Sequence, residues 1–372
     1  MSQISAKPIG LAIVGCGRVG RIRGREARAY PGTQWLGLCD VDEKKGRALA
    51  EELRADFFTK DYRELLGRPE ANAAVLATDE NEHAATLFAA IDQGHRILAE
   101  KPLATNAGES AKIVRAAERA GVDLVVGYTQ RFRRRWLAAR EHVRAGQLGE
   151  ITSATTRAFL NRMVAHARLA ANEDRRLLSP MVISGTHALD VVLWILGDGK
   201  EPAEIYARSV AKSLRGMGAK DATFALFTFG DGAIWSFSVS WALPVLWPAS
   251  TYGLEVGIVG TEGVLTIDDT HRDIVLAAEK PLKAHRGDER QVSFLESYPA
   301  GDMSDGQFWG PMKEETISWL SRIATGARTP HATAAEGHRN LMLTMACDLS
   351  AKRKRPVALP LDPEELHREL IA

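Results

Sequence analysis

Cysteine is scarce in this chain: Cys16, Cys39 and Cys347 are the only three in 372 residues, and none stands in CxxC spacing. An odd count without that spacing argues against a disulfide framework or a zinc site and fits a reducing, cytoplasmic setting. No apolar run reaches the roughly 18 residues a membrane span needs, and the opening MSQISAKPIG lacks the apolar core of a secretory signal. An excess of one charge is also missing. Lysine plus arginine number 48 against 47 for aspartate plus glutamate, so nothing in the balance points to nucleic acid or an anionic membrane. Internal repeats, low-complexity tracts and long linkers are absent as well. A soluble intracellular protein is the expectation.

What is present is ordinary globular material, 45% hydrophobic and 26% charged, in a length that suggests roughly two domains. From Ile9 to about Val126, the runs LAIVG, WLGLCD, AAVLAT, RILAE and VDLVVGY read as strands, with helical segments such as DEKKGRALAEELRA and NEHAATLFAAIDQG between them. Their continuous rather than alternating hydrophobicity indicates a parallel sheet covered on both faces, and the order indicates a doubly wound α/β domain over 1–127. Beyond Tyr128 the pattern changes to hairpins. One turns at Gly230-Asp231-Gly232 and a second at Gly260 to Gly263, which predicts an α+β domain over 128–372 with a mainly antiparallel sheet. Phe224 and Leu226 on one face of the first hairpin, and Phe227 and Phe229 on the other, require cover on both faces. A subunit interface or an internal layer would serve. The basic run RFRRRW, 131–136, reads as a solvated helix start.

Directly after the first strand stands Gly15-x-Gly17-x-x-Gly20, opening a helical run. The first glycine permits a tight turn, the second lets a pyrophosphate approach the backbone, and the third lets the helix pack on the strand. Asp40 ends the next strand, about twenty residues on, where an acidic side chain accepts hydrogen bonds from the adenine ribose and repels a 2′-phosphate. The pattern predicts NAD, while Arg18 and Arg21 leave NADP open. A second oddity is RILAEKPLATN, where a buried strand ends on Glu100, Lys101 and Pro102.

Taken in order, GCGRVG, CDVD, ATDENEH, AEKPLAT, VGYTQRF, SGTHALD and SAKRKRPVALPL resemble the Gfo/Idh/MocA oxidoreductases, the relatives of glucose–fructose oxidoreductase and inositol dehydrogenase, over nearly the whole chain. The resemblance implies a Rossmann domain followed by a domain with a large open sheet, often buried in a homodimer or homotetramer. It places Gly15, Gly17, Arg18, Val19, Gly20, Asp40, Thr78, His83 and Glu100 at the cofactor. It also puts the Glu-Lys-Pro signature beside the nicotinamide, commonly with a cis Lys-Pro bond, so that Lys101 reaches the substrate hydroxyl. A lysine beside a cationic ring favours its neutral form, which suits proton transfer. His83 could equally be a helix-start residue without a ligand role.

The second family element, Asp-x-Gly-x-His-x-x-Asp, departs from the pattern. Gly185, His187 and Asp190 are retained, but the first aspartate has become Ile183, which cannot accept a hydrogen bond. The family's proline and asparagine after Thr78 are Asp79 and Glu80 here. The resemblance implies His187 as second catalytic residue, Asp190 at the substrate, and Arg131 either in the pocket wall or against a substrate carboxylate. The expected activity is hydride transfer between a nicotinamide and a secondary alcohol of a sugar, cyclitol or related polyol, with no metal. Two other readings remain: a redox-neutral enzyme that retains NAD, and a non-catalytic nucleotide-binding regulator.

Overall fold

The computed structural model describes residues 8–170, 178–244, 252–268, 274–283, 289–295 and 301–372. The chain forms two compact units, Met1–Arg133 with Met303–Leu341, and Arg134–Asp302 with Met342–Ala372. In the first unit, strands β1 (Ile9–Val14), β2 (Thr33–Cys39), β3 (Phe57–Thr59), β4 (Ala73–Leu76), β5 (Arg96–Glu100) and β6 (Leu124–Gly127) lie parallel in the order β3-β2-β1-β4-β5-β6. Helices α1 (Arg18–Ala29), α2 (Glu43–Leu53), α3 (Tyr62–Leu66), α4 (His83–Asp92) and α5 (Ala107–Ala120) make the crossovers. Apolar cores form from both faces of this sheet, as the unbroken hydrophobicity of its strands demands. The strand order reverses between β1 and β4, which opens a crevice at the carboxyl ends of the strands.

Three of these helices begin on a side-chain cap: Asp42 accepts from the Lys45 amide, Asp61 from Arg63 and Asn106 from Glu109. Helix α1 does not. It starts at Gly17 with no side-chain cap and no acidic residue in its first turn.

The second unit holds α6 (Arg134–Arg144), β7 (Ile151–Asn161), α7 (Arg162–Ala170), a π-turn at Met181–Gly185 and α8 (Thr186–Leu196). Then come β8 (Pro202–Val210), β9 (Ala222–Phe229), β10 (Ile234–Leu243), β11 (Tyr252–Gly260) and β12 (Val264–Asp268), followed by the β13 (Ile274–Lys283) and β14 (Glu289–Leu295) pair. Both expected hairpins form, β9 with β10 and β11 with β12. Only β7 and β10 pair in parallel within this sheet. One sheet face is a packed aromatic layer, with Phe227 stacked on Trp235 at 4.8 Å and Trp235 on Phe237 at 5.1 Å. The opposite face leaves Phe224 53% exposed, with Leu226 and Ile234 also exposed. Among the described residues, nothing buries those side chains.

The chain then returns. After β15 (Asp302–Ser304) and β16 (Gln307–Trp309), helix α9 (Pro311–Thr325) and β17 (Ala332–Thr333) belong to the first unit, where β17 pairs antiparallel with β6. Helix α10 (Ala334–Arg353) leads out again to β18 (Val357–Ala358), which pairs with β8, and to α11 (Pro363–Ile371). A single cut at 127/128 does not describe this path, because residues 303–341 complete the first unit. The run 131–136 is a solvated helix start only in part: α6 begins at Arg134, with Arg134 and Arg135 exposed, while Arg131, Phe132 and Trp136 are buried. Among the described residues, no helix is long and apolar enough to cross a membrane.

Burial of His95, His331 and His338 in the first unit pushes each imidazole below its ordinary value. His331 falls to about 3, with Arg23, Arg322 and Arg131 acting in the same direction as burial. An unfolded chain takes up protons on these rings that the folded chain refuses, so stability is full above the ordinary histidine range and falls with pH below it. Glu26 and Glu315, raised by burial, act oppositely. Comparison with His331→Gln isolates the histidine: between about pH 6.5 and about pH 5 its unfolding free energy should fall less steeply, by up to about 1.4 kcal/mol per pH unit. Urea titrations of both proteins across that range check the difference.

Candidate active site

The glycine loop is built on backbone geometry that side chains cannot share. Gly15 has φ +98°, and an added Cβ would collide with the Ala77 carbonyl at the end of β4. At Gly20 a Cβ would collide with the Gly15 carbonyl, so α1 packs directly on the loop. At Gly17 the space beyond the backbone is open. Arg18 is exposed and Val19 half-buried in the first turn of α1. Asp40 is buried beside them. Its Oδ2 accepts from the Cys16 amide at 2.7 Å and its Oδ1 from the Asp42 amide at 2.9 Å, with Lys45 Nζ 3.0 Å from Oδ2. Burial alone would raise this carboxyl, but the two amides and Lys45 outweigh it and hold it below the usual range. A carboxylate has lone pairs beyond those in use, so it can still accept from a diol. Arg21 lies against Glu52, 2.5 Å away.

On the other side of the crevice, β4 and β5 end side by side. Thr78 Oγ1 is buried there with no hydrogen-bond partner. Lys101 is half-buried and followed by Pro102 across a cis bond. His83 joins the two strand ends: Nδ1 lies 2.7 Å from the Pro102 carbonyl oxygen and Nε2 3.2 Å from that of Thr78. Both ring nitrogens therefore face protein carbonyls, and His83, the first residue of α4, clasps the two loops together.

Glu100 faces inward. Its Oε1 accepts from Arg23 Nε at 2.7 Å and lies 2.6 Å from Nη2. Arg23, on α1, has no exposure to water and also donates to Glu315 Oε2 at 2.7 Å and Thr316 Oγ1 at 3.0 Å. Thr129, just after β6, donates to the same Glu315 oxygen at 2.9 Å. Burial raises the Glu315 carboxyl, with Arg23 opposing. Arg131 is likewise internal, with Nη2 2.9 Å from Glu336 Oε1 and Nη1 3.4 Å from the Pro330 carbonyl oxygen. Its guanidinium supports the unit's interior instead of facing a substrate carboxylate.

In the second unit, every residue from Met181 to Leu196 is buried except His187, which is half-exposed. The π-turn is anchored to β10, where Trp241 Nε1 donates to Ser184 Oγ at 2.8 Å. Gly185 packs so closely there that an added Cβ would lie 2.8 Å from Val239. Ile183 is 5% exposed and Asp190 is fully buried. Asp190 is thus an interior carboxylate, and within this stretch His187 alone reaches outward.

Residues 9–128 match the family model described as an oxidoreductase family with an NAD-binding Rossmann fold, and 136–266 match the GFO/IDH/MocA C-terminal domain. The chain belongs to the Gfo/Idh/MocA oxidoreductase family. It is similar to an inositol 2-dehydrogenase of Acidothermus cellulolyticus, 24% identical with 98% of each chain covered. A 2,7-anhydro-N-acetylneuraminate hydratase of Mediterraneibacter gnavus is 25% identical over 85% of this chain and 83% of its own. The scyllo-inositol dehydrogenase of Lactobacillus casei, solved with NAD(H) and scyllo-inositol, shares the fold at TM-score 0.78 and 16% identity, covering 95% of this chain and 99% of its own.

The residues present fit the family's dinucleotide. The bare α1 terminus and the open space at Gly17 suit a pyrophosphate, Asp40 suits the adenine ribose, and the orphaned Thr78 hydroxyl lies at the opposite, nicotinamide half. The expectations from sequence did not include Arg23, Thr129 or Glu315. A signal for Arg23 existed: it stands between Gly20 and Gly24 on the face of α1 that must pack inward, where a charge requires a buried partner.

His83→Ala should remove the one ring N–H that can donate to the Pro102 or Thr78 carbonyl, at about 1–3 kcal/mol for the buried oxygen left unsatisfied. Urea unfolding should show the loss. Amide hydrogen exchange should accelerate at 78–83 and 101–104, and unchanged exchange there would remove His83 from the clasp role.

Proposed function

We propose that this chain is an NAD-dependent dehydrogenase that oxidises a secondary alcohol of a cyclitol, sugar or related polyol. The observation that carries the reading is the end of β5, where a half-buried lysine follows an anchored glutamate and precedes a clasped proline at the nicotinamide half of the crevice. In the reaction the substrate carbon loses a hydride and its oxygen loses a proton, leaving a ketone. Bound NAD supplies the hydride acceptor. The Lys101 amine takes the hydroxyl proton, a role within the chemistry of a lysine side chain. His187 hydrogen-bonds the substrate, and Ile183 beside it offers that histidine no acceptor. Relatives named inositol 2-dehydrogenase, aligned over nearly the whole chain, support a polyhydric ring alcohol.

A second reading is redox-neutral chemistry with retained NAD, supported by the hydratase relative and by the loss of the aspartate at 183. Net reduction of added NAD across inositols, sugars and sugar acids separates the two. With the best substrate, Lys101→Met should lower kcat by about 10²- to 10⁴-fold while NAD affinity holds. His187→Ala should lower it about tenfold, the value of one hydrogen bond. Near-full turnover in Lys101→Met overturns the assignment.

The open sheet face around Phe224, Leu226 and Ile234 fits burial against a second copy, giving a homodimer or homotetramer. Sedimentation at micromolar concentration should show a dimer or larger, and Phe224→Arg should shift it toward monomer. A monomeric unsubstituted protein rules the assembly out.

A further inference from the structure

We infer that Arg23 is a positioning residue for the reaction: it holds Glu100, and through Glu100 the adjacent Lys101, against a platform made by α1, β6 and α9. The inference rests on the proposed role of Lys101. Its basis is geometric. Arg23 uses Nε and Nη2 on the single Glu100 oxygen Oε1, at 2.7 and 2.6 Å. Nη2 also reaches Glu315 at 2.7 Å and Nη1 reaches Thr316 at 3.0 Å, both on α9. Glu315 in turn accepts from Thr129, on the turn that follows β6. Glu100 is the last residue of β5 and is joined directly to Lys101 by one peptide bond. The planar guanidinium, with donors in a rigid fork, fixes direction as well as distance, which an ammonium cannot do.

Gly127 supports the same reading independently. It ends β6 and pairs with Glu100 in the sheet. A Cβ there would lie 3.0 Å from Arg23 Nη2 and 3.2 Å from both Glu100 carboxylate oxygens. The strand therefore makes room for the pair by carrying no side chain beside it.

An arginine buried this deeply would also serve simple stability, so the test must separate the roles. In Arg23→Lys, with charge kept and the fork lost, kcat should fall about 10- to 100-fold, as expected for a misplaced reacting group. KM and NAD affinity should stay within about threefold. Gly127→Ala, which alters no charge, should lower kcat several-fold and covers the case in which Arg23→Lys fails to fold. Combining Arg23→Lys with Glu100→Gln should lower kcat no further than the worse single variant, because both act through one contact. Hydrogen exchange on the cofactor-free protein gives a readout independent of turnover. Protection should drop at 100–104 in both Arg23→Lys and Gly127→Ala while β1 and β2 stay protected. Unchanged kcat per folded molecule, multiplying losses in the double variant, or equal loss of protection across the unit each overturn the inference. Absence of turnover with every polyol would overturn the proposed reaction instead, and the exchange result would still decide the role of Arg23.

Discussion

A guanidinium removed from water must be answered by anions, and Arg23 is answered from two directions. Glu100 comes from the end of a central strand, and Glu315 from a helix 215 residues further along the chain. Breaking a buried pair of this kind typically costs about 3–5 kcal/mol, because a charge is stranded in a medium that solvates it poorly. That penalty ties α1, β5 and α9 to one another. It makes the return of residues 303–341 to the first unit a requirement rather than an ornament of the fold. The same three elements carry the glycine loop, the Glu-Lys-Pro turn and the helix behind them, so the crevice inherits its shape from this cluster.

Within that frame the two halves of the crevice are kept for different tasks by different physics. The adenine half is electrostatic: a helix terminus without a cap faces an open glycine, and a buried carboxylate is kept ionised by two amides and a lysine. Helices α2, α3 and α5, by contrast, begin on Asp or Asn caps. The nicotinamide half is mechanical. His83 links the loops after β4 and β5 by both ring nitrogens, and Glu100 is locked from beneath, so Lys101 emerges from a turn held on both sides.

What could be read from the sequence follows from how far apart the cooperating residues lie. LAIVG, WLGLCD and RILAE declare a buried parallel sheet because each strand's environment is written in its own few residues. The hairpins at Gly230 to Gly232 and Gly260 to Gly263 were legible for the same reason, since turn and strands are adjacent. The sequence leaves the roles of Arg131 and His83 open because their partners are set by folding: Glu336 lies 205 residues from Arg131, and the carbonyl oxygens facing His83 leave no mark in side-chain identity. Asp190 is placed at the substrate only by the retained family motif; its burial inside α8, which is buried nearly all round, is set by packing that the motif does not display.

The burial of that helix gives the second unit its chemical economy. A segment buried from Met181 to Leu196 has no spare surface, so whatever it contributes to recognition must pass through His187. An acidic residue at 183 would have to be hydrogen-bonded inside or turned outward, because an unpartnered carboxylate is not tolerated at 5% exposure. Isoleucine removes that demand and fills the space, while the π-turn around it remains pinned by Trp241 to Ser184 and by the close approach of Gly185 to Val239. The turn's geometry is therefore supported by contacts that do not need the aspartate. A histidine so placed can still donate or accept one hydrogen bond.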